Sequence, residues 1–300
     1  MTLPTSVLGR TGETVTKLGY GAMELRSRRV DPADADRILN AVLDAGINIV
    51  DTSPDYGRSE EHIGRAIAHR RDEYFLASKC GCPVGEGVGE DLTGPRPHVF
   101  TPENVRAAVE QSLRRMRTDH LDLVQVHMSP APQTLTEQGA LDELVSLRDE
   151  GKVRFIGMSG TLPNLPDQIA MGVFDVFQIP YSAVEREHEG AITAAARSGA
   201  GTVIRGGVAK GVPEPRADYP EPFQQVMRER KARFEQTDID DLRGDTDPLD
   251  FMLRFTISHP DMHTTIVGTK SPEHLAANVR AATLGPLPPD VYAEAKRRFS

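Results

Sequence analysis

The chain has 300 residues, 38% of them hydrophobic and 26% charged, with a formal net charge of −9 at pH 7. A chain this acidic is not expected to hold nucleic acid or an anionic membrane through its overall field. No apolar run approaches the ~18–20 residues of a membrane span, and Met1-Thr2-Leu3-Pro4-Thr5 lacks the basic and apolar stretches of a signal peptide, so a cytoplasmic protein is expected.

The first elements are two short extended runs, Ser6-Val7-Leu8 and Thr14-Val15-Thr16-Lys17, joined by Gly9-Arg10-Thr11-Gly12. A glycine-bearing turn between apolar runs predicts a β-hairpin over 6–17. Eight strand-like apolar runs follow: Leu18–Ala22, Ile47–Asp51, Tyr74–Lys79, Leu121–His127, Val153–Met158, Val173–Ile179, Thr202–Arg205 and Thr264–Gly268. Helical spacing lies between them, most clearly in the stripe Val105, Val109, Leu113 and Met116. Asp31-Pro32, Thr101-Pro102, Asp247-Pro248 and Ser271-Pro272 each set a capping side chain before a proline suited to the first helical position. Gly46, Gly151 and Gly199 each follow a helical stretch, where a left-handed cap is expected.

Eight nearly all-apolar strands alternating with helices predict a parallel sheet covered by helices, either an open doubly wound sheet or a closed barrel. A nucleotide-binding open sheet carries Gly-x-Gly-x-x-Gly after its first strand. Gly19-Tyr20-Gly21-Ala22-Met23-Glu24 fails at the third glycine, and Gly85-Glu86-Gly87-Val88-Gly89 has the wrong spacing. The count of eight therefore favours a single (β/α)8 TIM barrel over residues 1–300, with the hairpin at its amino end. One stretch breaks the rhythm after the seventh strand. Gly206–Asp245, with Pro213, Pro215, Pro220, Pro222 and the charged run Arg228–Arg233, reads as a long loop that lines a substrate or covers a cofactor. Residues 286–300 form a C-terminal segment.

Cys80 and Cys82 stand only two apart, a poor spacing for a disulfide and half of a zinc site at most. No metal is expected from them, and the segment reads as part of the substrate rim. Active sites of parallel barrels lie at the C-terminal ends of the strands, so the polar residues that end the apolar runs carry the information. Ile47-Asn48-Ile49-Val50 ends in Asp51, Phe75-Leu76-Ala77-Ser78 in Lys79, and Leu121-Asp122-Leu123-Val124-Gln125-Val126 in His127. Met158 is followed by Ser159, and Phe177 by Gln178. An aspartate, a lysine and a histidine ending three successive strands would converge on one mouth.

Asp51-Thr52-Ser53-Pro54-Asp55-Tyr56-Gly57, then Lys79, then His127 resembles the Asp–Tyr–Lys–His tetrad of the aldo-keto reductase superfamily. The surroundings agree: Gly19-Tyr20-Gly21-Ala22-Met23, Ser59-Glu60-Glu61-His62-Ile63-Gly64, Gly151-Lys152-Val153-Arg154-Phe155-Ile156-Gly157, and Ile266-Val267-Gly268 followed by Ser271-Pro272-Glu273-His274-Leu275 and Asn278. The resemblance runs from Val7 to Ala282. It implies a barrel that binds NADPH/NADP+ without a Rossmann domain and interconverts a small-molecule carbonyl and its alcohol. Whether such a chain is a monomer or a homo-oligomer stays open.

On that resemblance Tyr56 is the general acid, and Lys79 lowers its pKa from the usual value near 10 toward the working pH. Asp51 fixes Lys79, and His127 donates to the substrate oxygen. The resemblance also assigns cofactor contacts to Gly21, Met23, Asp51, Ser159, Gln178, Arg205, Gly206, Gly268, Lys270, Ser271, His274 and Asn278. Ser159 and Gln178 would hold the nicotinamide carboxamide, Lys270 and Ser271 a ribose 2′-phosphate, and Asn278 the adenine. Three positions depart from the family pattern. Gly160 stands where an asparagine is frequent, Ala277 where a glutamate is, and Arg205-Gly206 where an aromatic usually stacks on the nicotinamide. A basic residue without an acid at the ribose position favours NADPH over NADH. Two other readings remain: an NADP(H)-binding regulatory sensor with slow turnover, and an enzyme that uses bound NADP in a net non-redox cycle.

Overall fold

A strand that is apolar on both faces needs cover on both, and a closed parallel barrel ringed by helices supplies it. The computed structural model describes residues 2–85, 97–208 and 221–299. It begins with the antiparallel pair β1 (Thr5–Val7) and β2 (Thr14–Thr16). The chain then runs β3 (Leu18–Gly21), α1 (Pro32–Asp44), β4 (Ile49–Asp51), α2 (Ser59–Ala66), β5 (Phe75–Cys80), α3 (Pro102–Met116) and β6 (Leu121–Val126). Next come α4 (Pro132–Glu137), α5 (Ala140–Asp149), β7 (Val153–Ser159), α6 (Leu165–Ala170), β8 (Val176–Pro180), α7 (Glu189–Arg197) and β9 (Gly201–Arg205). The last elements are α8 (Glu221–Gln236), α9 (Asp240–Arg243), α10 (Pro248–Ile257), β10 (Thr264–Val267), α11 (Pro272–Thr283) and α12 (Pro289–Arg298). Strands β3 to β10 close into one parallel barrel, β10 pairing with both β9 and β3. All eight overlap the runs read from the sequence. Among the described residues no helix is long and apolar enough to cross a membrane.

The local signals work as their chemistry requires. Asp31, Thr101, Asp247 and Ser271 each accept a backbone N–H from the first turn of the helix they precede. Gly46, Gly151 and Gly199 adopt φ of 82°, 77° and 86°, the left-handed conformation that ends a helix cheaply only with glycine.

The hairpin plugs the amino end of the barrel. Leu8 and Val15 join Ile49, Phe75, Ala77, Leu123, Val176, Val203 and Ile266 in one buried cluster inside the strands. Gly9 (φ +52°) makes this seat possible, because a Cβ there would lie 2.3 Å from the Gly201 nitrogen. A second, larger apolar layer, with Val50, Leu76, Val124, Ile156 and Ile204, fills the space between strands and helices.

The stretch 206–245 differs from the loop expected of it. Residues 209–220 lie outside the described residues, as do Gly87 and Gly89 of the earlier glycine run. The remainder is mostly helical, in α8 and α9. Met227 and Phe234 lie on one face of α8, seven residues apart, and Phe234 stacks on Phe299 with ring centroids 6.3 Å apart. Arginines do much of the rest: Arg230 pairs with Glu185, Arg233 donates to the Val184 carbonyl at 2.7 Å, and Arg298 pairs with Asp241. Between Met227 and Phe234 the sequence offers no large apolar residue, so the charged run Arg228–Arg233 broke the periodicity and concealed the helix. Residues 286–300 likewise carry a helix, α12.

Two helical glycines should respond oppositely to a methyl group. A Cβ on Gly64 would lie 2.1 Å from the Arg115 carbonyl oxygen, where α2 crosses α3, whereas one on Gly190 in α7 meets nothing within 4 Å. Gly64→Ala is expected to destabilise the fold by about 1–3 kcal/mol through overpacking. Gly190→Ala is expected to stabilise it by about 0.4–1 kcal/mol by restricting the unfolded chain. Urea unfolding of the two variants checks both signs.

Candidate active site

Side chains alternate along a strand, so the residue two places after an interior apolar one also faces the interior, one layer nearer the C-terminal mouth. Asp51 follows Ile49 in this way, Lys79 follows Ala77, Gln125 follows Leu123, Gln178 follows Val176, and Arg205 follows Val203. An apolar floor is thus topped by a polar layer contributed by five strands.

At the centre of that layer the Lys79 Nζ donates to Asp51 Oδ1 at 2.7 Å and to the Thr52 carbonyl at 2.8 Å. Asp51 Oδ2 accepts from Gln125 Nε2 at 2.8 Å and from Gln178 Nε2 at 2.9 Å. Lys79 is 1% exposed and Asp51 2%. A buried charge is tolerated when it is paired and hydrogen-bonded; Asp51 is met by Lys79, Gln125 and Gln178, and Lys79 by Asp51 and the Thr52 carbonyl. Burial pulls the Lys79 pKa down, but Asp51 and Tyr56 outweigh it and hold the ammonium above its ordinary value.

Tyr56 lies in the turn between β4 and α2. Its N–H donates to the Ser53 carbonyl at 3.0 Å, and the Ser59 N–H donates to the Tyr56 carbonyl at 3.0 Å. The Ser59 hydroxyl is 2.9 Å from the Thr52 hydroxyl and donates to the Ala22 carbonyl at 2.9 Å, tying the turn to β4 and to the segment after β3. Behind it, fully buried Glu60 accepts from Ser78 at 2.9 Å and Ser112 at 2.6 Å, and Arg115 reaches both Glu60 and the Pro54 carbonyl.

Lys79 Nζ sits over the tyrosine ring, 5.0 Å from its centroid. The Tyr56 pKa is pushed up to about 12 instead of being lowered: burial dominates, Lys79 and Arg205 pull down, and Asp51 and Asp55 push up. Desolvation of a phenolate outweighs one nearby ammonium whose charge is already shared with Asp51.

His127 meets Tyr56 edge-on, with ring centroids 6.2 Å apart at 79°. Burial, helped by Lys79, His98 and Arg205 against Asp55, pushes its pKa down to about 3, so the imidazole is neutral. Its Nδ1 lies 3.2 Å from Cys82 Sγ, 3.4 Å from His98 Nε2 and 3.5 Å from Asp55 Oδ2. The sequence reading left out Asp55, His98 and Gln125 and treated Cys82 only as rim. Gln125 was within reach, since it precedes His127 by two and shares its face of the strand. The others come from separate segments that only the fold assembles.

The residues assigned to a dinucleotide lie around the same mouth. Ser159 and Gln178 pair across β7 and β8, and the Gln178 amide nitrogen is committed to Asp51. A Cβ on Gly268 would lie 2.6 Å from the Gly21 carbonyl oxygen, so the ends of β3 and β10 are drawn close. Lys270 is exposed, and Ser271 caps α11 by accepting the His274 N–H at 3.2 Å, with Asn278 further along the helix. Met23 and Gly206 are half-buried. Arg205 Nε is buried without a hydrogen-bond partner among the described residues. An unmet donor there, and a helix start flanked by a lysine, fit a planar amide-bearing ring at one end and a phosphate at the other.

Residues 17–297 match the family model described as Aldo/keto reductase family. The chain is 26% identical over 290 residues to an uncharacterized oxidoreductase, YqkF, of Bacillus subtilis (strain 168), covering 92% of this chain and 90% of that protein. It is 30% identical over 196 residues to an NADH-specific methylglyoxal reductase of Escherichia coli (strain K12), covering 61% of this chain and 60% of that one. Among solved structures, the holo form of the aldo-keto reductase AKR11C1 from Bacillus halodurans superimposes with a TM-score of 0.82 at 25% identity, covering 99% of this chain and 96% of that chain. A closed eight-stranded barrel with Asp51, Tyr56, Lys79 and His127 at its mouth, and a family match over nearly the whole chain, make this protein a member of the aldo/keto reductase family.

Proposed function

We propose that the chain is an NADPH-dependent reductase of small aldehydes or ketones, with Tyr56 as the proton donor. The observation that carries this reading is the buried Lys79–Asp51 pair lying over the Tyr56 ring, with neutral His127 at the ring's edge. NADPH, when bound, would supply hydride to the carbonyl carbon, leaving an alkoxide oxygen. Tyr56 gives its hydroxyl proton to the alkoxide oxygen. The phenolate left behind is stabilised by the Lys79 ammonium, which Asp51 and the Thr52 carbonyl keep in place. His127, being neutral, donates a hydrogen bond to the substrate oxygen and is not a proton source. Ser159 and Gln178 would hold the carboxamide, Arg205 the face of the ring, and Lys270 with the start of α11 the 2′-phosphate.

Tyr56→Phe should fold and bind NADPH but lose about 10²–10⁴-fold in kcat for carbonyl reduction. Lys79→Met should act in the same direction, and the double variant should fall well short of the product of the two losses. Near-normal reduction by folded, NADPH-binding Tyr56→Phe would exclude the tyrosine as acid.

A tyrosine pKa of about 12 fixes the sign of the pH dependence. The acid form needed for reduction is full throughout the neutral range. The phenolate needed for alcohol oxidation grows with pH. Profiles of kcat should therefore be flat around neutrality for reduction and rise toward alkaline pH for oxidation. An oxidation profile independent of pH would contradict this assignment.

Lys270→Ala should weaken NADPH binding by at least about tenfold, for loss of one charge-assisted contact, and leave NADH binding within about twofold. Fluorescence titration of both reduced cofactors checks this. Unchanged affinities for both would sink the 2′-phosphate assignment and favour NADH, as in the named Escherichia coli relative.

A further inference from the structure

We infer that Asp55, Cys82, His98 and His127 form a binding site for a divalent transition-metal ion, zinc foremost, on the side of His127 turned away from its Nε2. One potential ligand atom from each residue falls within 4.8 Å of all the others. They arrive from four segments: the turn after β4, the chain just past β5, the approach to α3, and the end of β6.

The separations argue for an ion rather than a simple hydrogen-bond network. His98 Nε2 and His127 Nδ1 are 3.4 Å apart, and each is 3.5 Å from Asp55 Oδ2. Cys82 Sγ is 3.2 Å from His127 Nδ1. Good N–H···O bonds are about 2.7–3.2 Å, so the three contacts among the imidazoles and the carboxylate are slack. Tetrahedral zinc with Zn–N near 2.0–2.1 Å and Zn–S near 2.3 Å has ligand–ligand edges of about 3.3–3.6 Å. The four observed contacts lie on or beside that range before any ion draws them in.

The donor set suits the same ion. Imidazole, thiolate and carboxylate are each zinc ligands, and the two anions balance the 2+ charge. On binding, the Cys82 thiol gives up its proton to solvent as the sulfur–metal bond forms. The Ser53 hydroxyl donates to Asp55 Oδ1 at 2.5 Å, which orients the carboxylate so that Oδ2 faces the cluster. The Asp55 and His98 side chains keep 13% and 9% of their surface exposed while Cys82 and His127 are buried, so the site borders solvent on the Asp55 and His98 side. Coordination through Nδ1 leaves the His127 ring proton on Nε2. That consequence rests on the role proposed for His127, whereas the site itself does not.

Cobalt(II) titration of the chelator-treated full chain, without NADPH or carbonyl, tests the site independently of the reductase reading. One equivalent should give the intense visible bands of a tetrahedral ion and a near-ultraviolet thiolate-to-cobalt band, and zinc should displace it. Cys82→Ser should abolish the thiolate band, and Cys80→Ser should leave it. His98→Ala should weaken zinc binding by at least about tenfold in competition with a chromophoric chelator. It serves as the deciding variant if Cys82→Ser does not fold. Failure to saturate at one equivalent, a weakly coloured octahedral spectrum, or zinc affinity unchanged in His98→Ala would each overturn the proposal. If the cobalt spectrum appears but Tyr56→Phe still reduces carbonyls normally, the reductase mechanism fails and the metal site stands.

Discussion

The arrangement depends on keeping a charged lysine inside a β-barrel. Lys79 is fully buried, and an ammonium in that position survives only where a counter-ion and hydrogen-bond acceptors surround it. Asp51 supplies the charge and the Thr52 carbonyl a second acceptor. Gln125 and Gln178 then occupy the other carboxylate oxygen. Four strands are linked through one aspartate, and the geometry of the mouth follows from that linkage.

What the buried pair does to its neighbours is a matter of competing terms. Lys79 favours the Tyr56 phenolate, yet desolvation is larger and the hydroxyl keeps its proton far above neutral pH. The same desolvation keeps His127 neutral. An acid that holds its proton until an alkoxide appears, beside a donor that carries no charge, suits protonation of a developing oxyanion. In the proposed reduction the cationic groups near the tyrosine, Lys79 and Arg205, would matter most once the phenolate has formed.

The rest of the chain holds this mouth in shape. The hairpin closes the opposite end with Leu8 and Val15, so the polar layer rests on a dry floor. Glu60, Ser78, Ser112 and Arg115 brace the turn that carries Tyr56 from behind, joining α2, β5 and α3. Helix α8 is fastened by Arg230 to Glu185 and by Phe234 to Phe299, which anchors the segment after β9 to the end of the chain.

The sequence by itself determined the eight strands, the capped helix starts and the glycine-terminated helices, each written in local chemistry: apolar runs, a capping residue before proline, and a glycine after the helix. Asp51, Lys79 and His127 were legible as polar strand ends, whereas Tyr56, in a turn, was named only through the family resemblance. Helix α8 escaped because the charged run Arg228–Arg233 interrupts its apolar spacing and charges hold it down. The net pKa of Tyr56 was also out of reach, because it depends on how much water the fold removes against how close Lys79 comes, and a sequence gives neither distance nor burial. Gathering Asp55, Cys82, His98 and His127 within 4.8 Å was decided by tertiary structure alone. The pairing of β4, β5 and β6 fixes where three strand-end segments and the approach to α3 meet, and no spacing along the chain encodes that point.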